Sequence, residues 1–323
     1  MAGYSGQLGH IGVGRESSWG TGAAPQLFIA ELNRATIGPV VAQDFPEQLS
    51  GVMGLRRVRS GLTSYRGTLN FDVSAGGALP LFLLSCFGTC TTTIVNTIGG
   101  YAYRHLFTFA NTSSSIERPS LTLEHNHGSL FARRYAGCRV ERLRLSLAND
   151  ESAALQADID LIGKDEVTSG PASASFNTDQ TLSFATFSAR FDAADNTRVR
   201  QFSVEFDPGL EPIPTAGGAG KLGRLPASGL DVTGETLLVL EGTERRTDYI
   251  SGTERSLRFA LTGATIVTTW AYEVAVEVFR ARISDHDNPL AAGVLNERIE
   301  FRGLWHDTNG IARVSVTNTT SGY

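Results

Sequence analysis

Apolar and polar residues alternate with a period of two along most of this chain, which restricts it to strands that bury one face. Leu69, Phe71 and Val73 alternate with Thr68, Asn70 and Asp72, and Leu155, Ala157, Ile159 and Leu161 with Gln156, Asp158 and Asp160. The same beat returns at Phe202, Val204 and Phe206, at Leu257, Phe259 and Leu261, and at Tyr272, Val274, Val276 and Val278. Ile299 with Phe301 and Val314 with Val316 close the chain in the same way. The expected fold class is mostly β, a sandwich or barrel. With 323 residues there is room for two ordinary domains or one large one, and 41% hydrophobic content excludes wholesale disorder.

One stretch breaks the alternation. Gly76 to Gly88 carries Pro80 near its start, an apolar run and a closing glycine, which predicts a short helix packed on a sheet. Asn288 to Gly293 reads either as a weaker counterpart or as a loop. Asn111 to Ser115, Thr168 to Asp179 and Asp207 to Gly229 mark long loops, the last expected to be exposed and functional. Glycines at 12, 14, 20 and 22 make the start of the chain an arm expected to be loose alone and ordered on a partner.

This divides the chain into an arm (1–24), a first β domain (25–180) and a second (181–323). Setting Gly67-Thr68-Leu69 against Gly234-Glu235-Thr236-Leu237, and Leu121 to Ile162 against Tyr272 to Trp305, gives a similar order of elements in both halves. Alternating strands resemble one another by default, so duplication and no duplication both fit.

The net charge of -5 argues against a protein that grips nucleic acid through its phosphates. Among the 28 basic residues only Lys164 and Lys221 are lysines, and arginine suits fixed pairs between charged surfaces. No apolar run long enough to span a membrane and no signal-peptide pattern is present, so synthesis and folding in the cytosol are expected. Cys86, Cys90 and Cys138 read as buried free thiols.

Catalytic patterns are sparse. His125-Asn126-His127 reads as a hairpin turn, because a nuclease motif of those letters is spread over a ββα metal fold. Asp285-His286-Asp287 reads as a solvated loop, since three adjacent residues do not converge on one ion. No Gly-x-Ser-x-Gly occurs, and none of the six histidines stands in fixed relation to a serine and an acid. Arg56-Arg57-Val58-Arg59 and Glu244-Arg245-Arg246 lack interleaved aromatics and read as surface or interface charges. No cofactor or metal is expected.

Gly12, Gly14, Glu16, Ser17, Ser18, Trp19, Gly20, Thr21 and Pro25 follow the order Gly-x-Gly-x-Glu-(Ser/Thr)-(Ser/Thr)-(Trp/Tyr)-Gly-Thr, then small residues, a proline and a strand. Pro119 to Glu124, Tyr135 to Ser146, Leu155 to Gly163, Tyr272 to Ser284, Glu297 to Leu304 and Val314 to Asn318 continue in the same sequence of elements. In this the chain resembles the tail tube proteins of long-tailed phages. The resemblance implies a structural virion subunit without an active site. Its β-sandwich would give strands to a ring-wide barrel, with six tube domains per ring and rings stacked into a hollow conduit for DNA. A duplicated chain would need three copies per ring, an unduplicated one six.

The resemblance further implies partners: the chain itself, a tape measure protein in the lumen, terminator and distal tail proteins at the ends, and DNA in passage, but no membrane. The arm and the loop from Ser50 to Ser64 would join stacked rings, with Arg15, Glu16, Trp19, Arg56, Arg57 and Arg59 as contacts. Removing residues 1–20 is then expected to leave a folded subunit that forms no long tubes. Acidic walls let DNA slide, because bound arginine or lysine would hold phosphates. Gln156, Asp158 and Asp160 in one sheet, and Glu273, Glu277 and Glu300 in the other, are the expected lumen residues. Rival readings are another β-rich virion component (terminator, baseplate or decoration protein) and a carbohydrate-binding β-sandwich. The second lacks an aromatic cluster, because Trp19, Trp270 and Trp305 are scattered.

Overall fold

The structure, a computed structural model, describes residues 9–45, 58–109, 111, 117–128, 131–148, 150, 153–179, 181–215, 220–267, 269–289 and 293–323. The first half runs β1 (His10–Arg15), β2 (Leu27–Phe28), β3 (Leu32–Asp44), β4 (Arg59–Asp72), helix α1 (Leu79–Phe87), β5 (Gly88–Asn96) and β6 (Ala102–Phe109). It continues with β7 (Leu121–Asn126), β8 (Ala132–Leu147), β9 (Gln156–Gly163) and β10 (Asp165–Ser169). The second half holds β11 (Phe187–Phe191), β12 (Ala194–Asp195), β13 (Val199–Asp207), β14 (Ile213–Pro214), β15 (Leu222–Arg224) and β16 (Asp231–Val239). Helix α2 (Glu244–Ser251), β17 (Glu254–Val267), β18 (Trp270–Asp287), β19 (Asn296–Gly303) and β20 (Ala312–Asn318) complete it. The fold is mostly β, as the alternation predicts.

The strand pairings of the two halves correspond one to one. β1 pairs with β2 and β7, as β11 pairs with β12 and β17. β4 lies between β3 and β9, as β16 lies between β13 and β19. β8 pairs with β7, β9 and β10, as β18 pairs with β17, β19 and β20. The irregularities recur as well: a bulge interrupts β8 and β9 between Val140 and Arg142, and β18 and β19 between Ile283 and Asp285. A second separates Leu32 from Arg34 in β3 and Val199 from Gln201 in β13. Bulges bend a strand and raise its twist; here they fall where the long strands β8 and β18 pass from one set of partners to another.

Three features lack a counterpart among the described residues, the first being the small hairpin β14–β15 between β13 and β16. The hairpin β5–β6 adds to the outer edge of β20, and β13 pairs antiparallel with β8, Phe202 to Phe206 opposite Leu147 to Leu143. Both the β6–β20 and the β8–β13 pairings join the halves into one sheet. A single buried cluster runs through both, from Ile11 and Val13 to Val314 and Val316. Phe202 and Phe259 stack with centroids 4.7 Å apart, flanked by Phe187 and Phe301.

Helix α1 carries Pro80 in its first turn and ends at Gly88, whose φ of 91° suits glycine. All nine residues are buried, as an all-round apolar helix requires. Sequence reading missed α2: Glu244-Arg245-Arg246 is not a bare charge run but the first turn of a helix closed by Gly252 at φ 68°. Its Asp248 is buried between Arg245 and Arg255. Asp285-His286-Asp287 is likewise not a loop but the end of β18. His125 and Asn126 end β7, leaving the turn to His127 and Gly128. At Asn288 to Gly293 no helix occurs among the described residues.

The arm departs most from expectation. Its residues 10–15 form β1, with Ile11 and Val13 wholly buried, so this part is ordered on its own chain. The glycines serve close approach: a Cβ at Gly14 would lie 2.2 Å from the Ala24 carbonyl oxygen, and one at Gly12 2.7 Å from Pro25. Ile11→Ala is expected to cost about 2–5 kcal/mol of stability in chemical denaturation, a core loss that a loose arm would not show.

Candidate functional site and assembly surfaces

Glu16 is 6% exposed and is the hub of the arm. Its Oε1 accepts hydrogen bonds from Gly137 N (2.8 Å), Thr122 Oγ1 (2.7 Å) and Gly22 N (3.3 Å), and its Oε2 from Ser120 Oγ (2.6 Å) and Gly20 N (2.8 Å). A buried carboxylate is tolerable because these donors replace its water. The arm's glycines supply two of them. Trp19 donates from Nε1 to the Gly137 carbonyl at 3.0 Å and lies between the cations of Lys164 and Arg139, 4.5 and 5.4 Å from its ring centroid. Gly137 is required here, because its φ is 68° and a Cβ would reach within 3.0 Å of Trp19 Nε1.

Of the segment from Asp207 to Gly229, expected as an exposed loop, residues 211, 212, 214, 215, 220, 224 and 228 are exposed, while the stretch from Lys221 to Leu225 packs on this site. Leu222 and Leu225 are buried on Ile162 beside Trp19, and Lys221 pairs with Asp165 at 2.6 Å. Arg139, 2% exposed, bonds the Leu225 carbonyl and pairs with Glu117 at 2.5 Å. Thus Glu16 and Trp19 have their polar groups committed inside the chain. Arg15 is exposed and donates to the Tyr323 backbone oxygen at 2.7 Å. Arg59 faces Asp44 at 3.9 Å across the β3–β4 hairpin, both exposed. Arg56 and Arg57 lie outside the described residues.

The expected lumen residues divide between two surfaces. Gln156, Asp158, Asp160 and Glu300 share one polar face, which runs through β3, β4, β9, β8, β13, β16 and β19. Glu273 and Glu277 lie on the first part of β18, among β17 and β20. On the long face Asp158 accepts from Asn70 at 2.6 Å, and Asp160 from Thr68 and Arg142, each at 2.9 Å. Gln156 donates to Asp72 at 3.3 Å, and Glu300 pairs with Arg298 at 2.8 Å. Arg298 also meets Glu235 at 2.8 Å, and Arg302 forms a two-bond fork on Asp231 at 2.9 and 2.7 Å. Acids and arginines thus neutralise each other across strands. Sequence reading named the acids and left Arg142, Arg144 and Arg302 either to pair with acids or to face a subunit boundary; Arg142 pairs with Asp160 and Arg302 with Asp231, while Arg144 donates to Ser203, because cross-strand neighbours depend on register.

Glu277 pairs with Arg258 at 3.3 Å and with Arg313, and Glu273 with Arg258 at 2.5 Å. Arg258 and Glu277 stand in the β17–β18 register where Glu124 and Arg134 stand in the β7–β8 register, with the charges exchanged.

Cys86 and Cys138 are buried and Cys90 half-buried, all free, and burial raises all three thiol pKa values. Among the described residues no group of His, Cys, Asp and Glu is arranged to hold a metal ion, and no helix is long and apolar enough to cross a membrane.

These features define a class: a β-sheet subunit whose surface chemistry is paired charge and strand edge. The chain matches the family model described as phage tail tube protein over residues 6–303, and it belongs to that family. It is a structural subunit of a phage tail tube and a virion component that assembles with copies of itself and with other tail components. No protein with a curated description matches the chain.

Glu16→Ala leaves the Gly137 N–H and two buried hydroxyls without an acceptor and is expected to cost about 3 kcal/mol or more in urea unfolding. His125 supplies a pH test. Burial, with His127 and Arg133 nearby, lowers its pKa from 6.5 to about 4. The unfolded chain therefore binds the extra proton first, so stability is present above 6.5 and falls as pH drops toward 4. His125→Gln is expected to lose less stability than the parent across that interval in urea titrations; equal losses would remove His125 from the account.

Proposed function

We infer that the chain forms the tube wall with its long polar face toward the lumen, and that each chain supplies two tandem tube domains, so three chains make a six-domain ring. The observation that carries this reading is the single polar face that crosses from β8 to β13 and so runs unbroken through both halves. Gln156, Asp158, Asp160 and Glu300 line the lumen on this reading; Glu273 and Glu277, on the other surface, do not. Arginines already held by acids have little charge left for phosphate, so DNA passes without being retained.

Stacked rings meet through Arg15, Arg59 and the segment carrying Arg56 and Arg57, while Glu16 and Trp19 act from beneath by fixing the arm. A tape measure protein occupies the lumen before DNA does, and terminator and distal tail proteins cap the two ends. The subunit is made in the bacterial host's cytoplasm. No catalytic step enters this role.

Cryo-electron microscopy of polymer grown from the purified protein tests the ring. Three chains per ring are expected, and six would overturn the tandem-domain reading. The lumen assignment is tested separately with Asp160→Asn combined with Glu235→Gln and Glu300→Gln, which takes the near acid from Arg142 and both acids from Arg298 while preserving side-chain shape. Such tubes are expected to assemble, but virions carrying them should eject DNA several-fold more slowly, an effect relieved by salt. Ejection at the parental rate would count against an inward-facing polar surface.

A further inference from the structure

The β8–β13 junction joins the last part of the long strand of one half to the strand that opens the sheet of the next. Its second-half counterpart is absent within the chain, and both surfaces that would form it are open. Among the described residues β3 pairs only with β4, and β18 beyond Arg282 only with β19. The matched pairings and bulges fix which residues correspond. Val204 of β13, opposite Gly234, matches Ile37 of β3, opposite Gly67; Leu143 of β8, opposite Ile159, matches His286 of β18, opposite Ile299.

We propose that the open edge of β18 pairs antiparallel with the outer edge of β3 from a second copy of this chain, in the register of the β8–β13 junction. Asn288 then stands opposite Ile37, Asp287 opposite Gly38 and His286 opposite Pro39. Because β3 is longer than β13, the ladder continues to Asp285 opposite Val40 and Ser284 opposite Val41. This rests on the reading of the chain as a tandem tube subunit.

Both edges carry apolar side chains that the chain itself leaves uncovered. Val40 and Val41 are 46% and 43% exposed, and α2, which packs on β18, carries Ile250 at 70%. At the junction already formed, the matching ground is closed: Phe206, the counterpart of Pro39, is wholly buried against Phe87 of α1 with centroids 5.0 Å apart. Charge agrees. Gly38 has open space where a side chain would be and lies beside Arg66 of β4, which pairs with Glu141 at 3.1 Å, so Asp287 placed across it joins an existing ion pair. In the formed junction the equivalent cross-strand pair is Glu205 with Arg144. Pro39 has no N–H to donate, which blunts indiscriminate strand addition to β3 and makes the junction depend on register.

Two double variants, Gly38→Cys with Asp287→Cys and Val40→Cys with Asp285→Cys, test the register. After oxidation of assembled material, non-reducing gels are expected to show covalent oligomers closing at the ring number, absent from each single-cysteine variant. The register-shifted pair Val40→Cys with Asp287→Cys should cross-link several-fold less. Hydrogen exchange on the unsubstituted protein gives a readout independent of any substitution: amides of residues 37–41 and 284–288 should gain about tenfold protection or more on assembly. Tubes without that protection, or with cross-links only in the shifted pair, would overturn the proposed pairing and leave the tube reading intact. A parent protein that never forms rings overturns both.

Discussion

The sheet depends on how β8 and β18 fill their long edges. A strand of 16 or 18 residues outruns an ordinary partner, and an unpaired stretch of its backbone would be a template for aggregation. β8 meets this by changing partners partway on both edges, and β18 does so on one, leaving the other without a partner beyond Arg282 among the described residues. β8 exchanges β10 for β9 on one edge and β7 for β13 on the other. β18 exchanges β20 for β19 on one edge, while β17 runs along the other until Glu254. The bulges lie near these exchanges, where the added twist lets one strand serve two differently directed sheets. The helices follow the same logic, since α1 packs on β8 and α2 on β18.

Electrostatics on the long polar face follow from this register. An isolated exposed ion pair contributes little to stability, so the lattice of Arg142, Asp160, Arg298, Glu235, Arg302 and Asp231 is poorly explained as a source of stability. What it does is fix where charge sits. A guanidinium with two bonds to one carboxylate has a defined direction and reduced freedom to reach a passing anion. The scarcity of lysine fits this, because a flexible ammonium would remain available.

Much of the strand content was legible because alternation is written locally, and α1 was legible because Pro80 and Gly88 bracket an apolar run. Helix α2 was not, because its buried residue is Asp248, an acid tolerated only through Arg245 and Arg255, and Arg255 lies beyond the helix itself. The arm was misjudged by counting glycines: Gly12 and Gly14 mark close approach of Pro25 and Ala24, while Ile11 and Val13 between them carry the burial. The role of Glu16 had a faint local trace in Gly20 and Gly22, but Ser120, Thr122 and Gly137 are distant in sequence. Asp285-His286-Asp287 looked like a loop because three polar residues ended an apolar strand; His286 is held against Glu297 and Tyr249.

The β8–β13 junction has a consequence for counting. Because it forms within one polypeptide, it closes when the chain folds and does not reopen on dilution, whereas any contact between separate copies is governed by concentration. If each half fills one ring position, as proposed, a closed ring of such chains contains an even number of halves, so five- and seven-fold errors are removed by covalent connectivity before any surface has to discriminate against them. On the tandem-domain reading the hairpin β5–β6, present in one half only, marks every second position around the circumference, giving the outer wall a period of one chain while the inner face keeps the period of one half.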